Sequence, residues 1–190
     1  MNGKILSEFS NYLLSHRDEI TAEWVGAVQQ GLGVSSPGYS GDTELIDHLP
    51  DLFKNLAAVL KAPQSRHDRS EVSRTARSHG RYRWRQGYKL EQVIREASII
   101  RRILVGTWVS GFARQTPAFV DETRRAAEEL IHEAVDDIVA DSAEQYMEEQ
   151  QKAVSHLNTR LADALAELRQ QKAAREGNKT KGDIPGHADS

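Results

Sequence analysis

The sequence of 190 residues contains no cysteine. Disulfide bridges, thiolate catalysis and cysteine-ligated zinc are therefore excluded, and this composition is typical of a reducing compartment. No segment approaches the roughly 18 consecutive apolar residues that a membrane span requires, and the first twenty residues are amphipathic rather than leader-like. We predict a cytoplasmic protein that does not span a membrane.

The sequence also lacks an excess of charge of one sign. Lys and Arg number 25 against 28 Asp and Glu, which gives a formal net charge of -3. A chain with this balance has no overall attraction to a polyanion, so nucleic-acid binding is disfavoured. Its length corresponds to about one globular domain with an appendage.

Segments in which Val, Ile and Thr alternate with period two are missing as well. Apolar residues instead recur at helical spacing along almost the whole chain, which predicts an all-α helical bundle. We expect five helices, at 5–28, 43–60, 71–86, 90–112 and from 117 to about 176.

Four local signals refine these helices. Asp42 or Thr43 is expected to cap the second helix, and Pro50 to bend it. Gly87 is expected to end the third helix by adopting the left-handed backbone conformation. Thr116 and Pro117 then supply an N-cap and a first-turn proline for the last helix.

The last helix is too long for a domain of this size. Roughly 60 residues would span about 90 Å at 1.5 Å per residue, so we expect its far end to project. A heptad seam runs along that end and predicts a parallel coiled-coil homodimer, with folding back onto the same domain as the alternative. The predicted segments are a helical sensory or regulatory domain (1–145), a coiled-coil signalling helix (146–176) and a disordered tail (177–190). The apolar seam residues are Met147, Val154, Leu157, Leu161 and Leu168.

Two blocks carry a family resemblance, ELIDHLPDLFKNLAAVL at 44–60 and HGRYRWRQGYKLEQVIREASIIRRIL at 79–104. Together they resemble the RsbRD N-terminal domain family, from the first helix to about residue 140. The resemblance implies an input module of the kind found before sensor histidine kinases or in stressosome-type regulators of an anti-sigma switch. It also implies a helical fold without haem, for which a globin-like arrangement is one alternative.

The chain departs from the family pattern in two respects. Such relatives continue into a kinase or an anti-sigma-antagonist domain, whereas this sequence ends at Ser190 with neither, so it is a free-standing module or a fragment. Lys89 stands where a small capping residue is expected, and Ala97 where an aromatic residue is common. The smaller side chain of Ala97 would enlarge any cavity beneath it.

The block at 79–104 also contains the candidate ligand site. His79 and Arg83 share one helix face because they are four residues apart. Arg101 and Trp108 lie on the predicted inward stripe of the next helix, together with Ile94. A tight turn between the two helices would bring these side chains together.

Two interpretations of this cluster follow. His79, Arg83, Arg101 and Trp108 form a pocket for a small anionic ligand, since a guanidinium fork suits a carboxylate or a phosphate. Alternatively the cluster is structural, because a buried charge needs a partner that the chain itself can supply. The candidate internal partners are Glu96, Glu71 and Asp47.

The histidines raise two further hypotheses. His16, His48 and His79 lie on amphipathic helices, so a haem or redox sensor is one alternative, although we expect no cofactor. The stretch SHLNTRL at 155–161 faintly resembles the phosphoacceptor box of histidine kinases, which makes His156 a candidate for phosphotransfer. The seven histidines show no zinc-binding spacing, and we expect no metal site.

The sequence shows no glycine-rich phosphate loop and no set of nucleophile, base and orienting residue, so we expect no catalytic residues. We predict a non-enzymatic sensory or regulatory module in bacterial signal transduction. Its partners are expected to be a second copy of the chain and a signalling protein, such as a histidine kinase or a component of an anti-sigma pathway. The alternative is a protein–protein adaptor without a small ligand.

Overall fold

The computed structural model describes residues 2–32 and 49–182. Regular structure in these two ranges is entirely helical, which confirms the all-α prediction and the long C-terminal helix. The helices are α1 (Asn2–Ser15), α2 (Arg17–Leu32), α3 (Leu49–Lys61), α4 (Arg66–Arg85), α5 (Leu90–Ile103), α6 (Ser110–Gln115) and α7 (Asp121–Gly182), and a π-helical segment (Leu104–Val109) joins α5 to α6.

The first predicted helix, at 5–28, is in fact two helices that meet at His16. Helix α1 packs chiefly on α3, whereas α2 packs chiefly on α5. One straight helix could not bury its apolar face against both neighbours, so the break allows Phe9 and Trp24 each to become fully buried.

One predicted proline signal is wrong and one stays a prediction. The described part of α3 begins at Leu49 and the residues before it lie outside the description, so the bend expected at Pro50 stays a prediction. Thr116 and Pro117 precede α7 by several residues and form a turn, in which the Phe119 amide donates to the Thr116 carbonyl at 2.9 Å. The proposed caps Asp42 and Thr43 lie outside the described residues.

Helix α4 begins five residues before the predicted start. Ser65 caps it, because its hydroxyl accepts a hydrogen bond from the Asp68 amide at 3.2 Å. At the other end Gly87 has a φ of 76°, which confirms the predicted left-handed residue. The Gly87 amide donates to the Trp84 carbonyl, and the Tyr88 amide to the Arg83 carbonyl, both at 3.0 Å. This is the Schellman pattern of helix termination.

The fourth predicted helix is interrupted. It ends as an α-helix at Ile103, continues as a π-helix and resumes as α6. The wider turn changes the phase of the side chains, so that Leu104, Trp108, Val109 and Phe112 are all buried.

Contacts divide the chain into one unit that ends at Glu149 and a second that begins at Gln150. The first unit holds the main apolar core, to which α1 to α7 all contribute. In the second unit, the described side chains at 150–175 are exposed, apart from the half-buried Ala153. No helix within the described ranges is both long enough and apolar enough to cross a membrane.

Candidate functional site

A buried ion pair joins α4 to α5. The Arg83 Nε atom donates to Glu96 Oε2 at 2.9 Å, and the two side chains are 1% and 2% exposed. Removing either charge would leave its partner buried without compensation, which costs several kcal/mol. The pair is therefore a fixed element of this helix–helix contact, and Glu96 is the internal partner that the structural interpretation required.

The turn at Gly87 positions the arginine. In the Schellman turn, the Tyr88 amide donates to the Arg83 carbonyl, so these two residues are adjacent in space. In many such turns these positions make an apolar contact, whereas here the Arg83 guanidinium lies 4.6 Å from the centre of the Tyr88 ring. Its Nη1 atom also donates to Gln86 Oε1 at 2.7 Å. Cation–π attraction and hydrogen bonding thus both stabilise the buried charge.

His79 adds a second contact to the same carboxylate. Its Nε2 atom lies 3.2 Å from Glu96 Oε2, one helical turn before Arg83. Helix α2 reaches the same residue from another side, because the Trp24 indole donates to the Glu96 carbonyl at 3.0 Å. The side chains of His79, Arg83 and Glu96, which we call the Glu96 cluster, thus link α4 to α5, and Trp24 ties α2 to them.

One oxygen of the cluster has no partner among the described residues. Glu96 Oε1 is buried and accepts no hydrogen bond from them. Glu96 and His79 also line a cavity of about 20 Å³ together with Trp24 and Ser142. The rest of the lining is apolar and includes Ala97, the position at which the sequence suggested extra space: Leu52, Val93, Ile94, Ala97, Ile100, Ile138 and Val139.

Arg101 pairs with a different carboxylate from Arg83. Its Nη2 atom donates to Asp136 Oδ1 on α7, and the two side chains are 32% and 66% exposed. The predicted inward stripe of α5 is correct in part, since Ala97, Leu104 and Trp108 are buried, but Ile94 is 39% exposed whereas Glu96 is buried. The charged residue that α5 buries is thus Glu96.

Trp108 lies in a third environment, on the π-helical segment. Its indole nitrogen donates to Glu23 Oε2 at 3.0 Å, and the Thr107 hydroxyl donates to Glu23 Oε1 at 3.2 Å. The His16 ring lies 5.3 Å from the Trp108 ring. The structure therefore brings His79 and Arg83 together, and it gives Arg101 and Trp108 other carboxylate partners. Ligand binding by the four residues stays a prediction.

Sequence reasoning missed a row of ion pairs between α4 and α7, which we call the α4–α7 ladder. Arg69 lies 3.4 Å from Glu133, and Arg81 lies 3.4 Å from Glu149. Between them Arg77 bonds to Glu144 at 2.6 Å and to Glu148 at 2.8 Å, and the hydrogen bond to Glu144 raises the pKa of Arg77. The spacing of four and eight residues between the arginines was the available signal, because it places them on one face of α4.

The backbones of α4 and α7 approach closely beside this ladder. A Cβ atom added to Gly80 would lie 2.1 Å from the Ser142 carbonyl oxygen. The Ser142 hydroxyl donates to the Ala76 carbonyl at 2.9 Å, across the same contact. Only glycine at position 80 permits this approach, which accounts for the His-Gly pair in the quoted block.

The remaining candidates are placed as follows. His16 Nδ1 lies 2.9 Å from the Tyr12 carbonyl, and His156 is exposed on α7. His48 and Asp47 lie outside the described residues, and Glu71 pairs with Arg74 of its own helix at 2.6 Å. Within the described ranges, no group of three or more His, Asp or Glu side chains is arranged to hold a metal ion.

Comparison with known proteins identifies a family. No match was found among curated proteins or among solved structures. The family model described as the RsbT co-antagonist protein rsbRD N-terminal domain matches residues 18–161, which is well over half of the chain. The match includes both quoted blocks, the Glu96 cluster and the whole α4–α7 ladder. The chain therefore belongs to the rsbRD N-terminal domain family.

Proposed function

We propose that this chain is a non-enzymatic input module of bacterial signal transduction, and that its output element is α7. Family membership supports the signalling role, since the family is that of the RsbT co-antagonist N-terminal domain. The observation that carries the proposal is the change in the surface of α7. Up to Glu149 it is packed and ion-paired, whereas beyond Gln150 it presents large exposed apolar side chains.

The α4–α7 contact is suited to small shifts. Its exposed ion pairs contribute only about 0 to 1 kcal/mol each, so a change of pairing costs little. Arg77 already contacts Glu144 and Glu148, which lie one turn apart on α7. A ligand or partner that binds one packing of the bundle better than another would shift the population of α7 positions.

The exposed apolar residues of α7 supply a surface for a second copy of the chain. They recur at steps of three and four residues, which is the seam pattern of a coiled coil. A parallel homodimer would bury this surface and would present two C-terminal helices to a signalling partner, such as a histidine kinase or a component of an anti-sigma pathway. The residues are Val154, Leu157, Leu161, Leu165 and Leu168, each 45–60% exposed.

The absence of native cysteine permits a direct test of transmission. A spin label on Ala166→Cys, away from the seam, would report the distance between the two helices of a dimer by pulsed electron paramagnetic resonance. Arg77→Glu places a negative charge against Glu144 and Glu148, and we expect it to shift or broaden this distance. An unchanged distribution would contradict transmission through α7, and the absence of any dipolar coupling in the parent chain would contradict the dimer.

The matched control is Arg74→Glu. Arg74 pairs with Glu71 within α4 and is 69% exposed, so the same charge reversal there leaves the α4–α7 ladder intact. We expect it to leave the label distance unchanged. An equal effect of both variants would mean that the change in net charge, rather than the ladder, moves the helices.

A protein–protein adaptor is the second candidate. Arg95 and Arg102 lie two turns apart on the exposed face of α5. Together with Ser98 and Ile99 they line a shallow groove, which is a candidate docking surface. An adaptor would bind no small ligand, and the titration described below distinguishes the two functions. A haem sensor would show Soret absorption after expression with haem, and we expect none.

A further inference from the structure

The Glu96 cluster contains a buried acceptor without a partner among the described residues. Arg83 Nε donates to Glu96 Oε2, and His79 Nε2 lies 3.2 Å from the same oxygen. The other donors near the cavity are also engaged, because the Trp24 indole and the Ser142 hydroxyl bond to backbone carbonyls. Glu96 Oε1, in contrast, is a buried oxygen that accepts no hydrogen bond from the described residues.

This arrangement disfavours the anionic ligand that the sequence suggested. An anion would need donors directed into the cavity, and Arg83 is not among the described residues that line it. Its Nε and Nη1 atoms donate to Glu96 and Gln86, and its guanidinium lies over the Tyr88 ring. A carboxylate oxygen without a partner instead requires a hydrogen-bond donor, and a charged donor bonds to it more strongly than a neutral one. The oxygen without a partner therefore favours a ligand that donates a hydrogen bond, an amine or an alcohol, over a carboxylate or a phosphate, which can only accept one.

The size and lining of the cavity restrict the ligand further. A volume of about 20 Å³ exceeds the roughly 10–15 Å³ that one water molecule needs. Buried waters typically make about three hydrogen bonds, whereas this site offers one unused acceptor and mostly apolar walls. Ile94 lines the cavity and is 39% exposed, so the cavity lies beneath a side chain that reaches solvent.

We propose that this cavity binds one small molecule that combines a hydrogen-bond donor with a short apolar group, a primary amine or an aliphatic alcohol, with the donor on Glu96 Oε1. This inference rests on the proposed function, because the ligand is the signal only if the chain is an input module. Binding and transmission are separate measurements, so a failure of one is distinguishable from a failure of the other.

Proton–nitrogen NMR on the full chain tests the proposal. The sequence has three tryptophans, and the indole of Trp24 reports on the cavity that it lines, whereas the indole of Trp108 bonds to Glu23. We expect methylammonium to shift the Trp24 indole signal saturably and methanol to do so with lower affinity. Formate, an anion of similar size, should leave it unchanged, and the Trp108 signal should not move with any probe.

Filling the cavity supplies the matched variant. Ala97→Leu adds volume to the cavity wall without touching the charges, and we expect it to abolish the shift. Ala140→Leu makes the same change at an exposed position of α7 and should bind as the parent does. Ala97→Val serves the same purpose if the larger residue prevents folding.

Three results would overturn the proposal. They are the absence of a saturable shift with both methylammonium and methanol, an equal response to formate, and full binding in the cavity-filled variant. The first would indicate a cavity that holds water only, and the wild-type titration decides it without any variant.

Discussion

Arg83 and Glu96 lie thirteen residues apart on opposite sides of the Gly87 turn, and their side chains form an ion pair that is at most 2% exposed. The His79 Nε2 atom lies 3.2 Å from the same oxygen of Glu96. The pair therefore depends on the reversal of chain direction at Gly87, and it couples the conformation of one turn to the packing of two helices.

The first prediction concerns this pair. Arg83→Met and Glu96→Leu should each lower the free energy of unfolding by about 3 to 5 kcal/mol, because each leaves an uncompensated buried charge. The double variant should lose far less than the sum, since two apolar side chains can replace a buried pair. Urea unfolding of the four proteins measures the coupling, and additive losses would contradict it.

Arg101 provides the comparison for Arg83. Its ion pair with Asp136 is partly exposed to solvent, so Arg101→Met should lower the free energy of unfolding by less than about 1 kcal/mol. A loss as large as that of Arg83→Met would contradict the weak contribution expected of this partly exposed ion pair.

The second prediction concerns the approach of α4 to α7. Gly80→Ala should lower the free energy of unfolding by about 1 to 3 kcal/mol, because its Cβ would meet the Ser142 carbonyl at 2.1 Å and the helices must separate. Gly26→Ala in α2 is the control, since a Cβ there meets nothing within 4 Å. That change should stabilise the protein by roughly 0.5–1 kcal/mol. Thermal unfolding measures both, and stabilisation by Gly80→Ala would contradict the close approach.

The third prediction concerns the seam of α7. Leu157→Asp combined with Leu161→Asp should convert a dimer into a monomer, because each buried leucine contributes roughly 1.5 to 3 kcal/mol. Light scattering at micromolar concentration measures the mass. Ala162→Asp with Ala166→Asp adds the same charge away from the seam and should remain dimeric. A monomeric wild type would refute the coiled coil, and a dimeric chain truncated at Glu149 would place an interface in the bundle.

The fourth prediction concerns pH. Burial raises the pKa of Tyr146, whose hydroxyl donates to the Tyr88 carbonyl at 2.7 Å. An unfolded tyrosine ionises at about pH 10. The folded state resists this ionisation, so the contribution of Tyr146 to stability is present below that pH and is lost as the pH rises toward the folded pKa. Urea unfolding between pH 8 and 11 should show a shallower decline in Tyr146→Phe than in the wild type, and identical declines would contradict the assignment.

The local features of the fold could be predicted from the sequence because they depend on neighbouring residues. Helical periodicity indicated an all-α chain with a long last helix, and the isolated glycine at 87 indicated the left-handed turn. The Asp and Thr caps proposed near residue 42 fall outside the described residues. The prediction at Pro117 was wrong, since a proline fits a turn as well as the first turn of a helix.

The site depended on tertiary structure. A broad apolar stripe on α5 allows more than one rotational phase, and the packing of α2 and α4 against α5 buries Glu96 while leaving Arg101 partly exposed. The π-helical turn after Ile103 shifts the phase again and directs Trp108 to Glu23. A charge can be buried only where another element supplies its partner. The sequence by itself therefore determined that the chain is helical and where the arginines lie along it, and only the tertiary structure decided which arginine is buried, because that choice requires a carboxylate from a different helix.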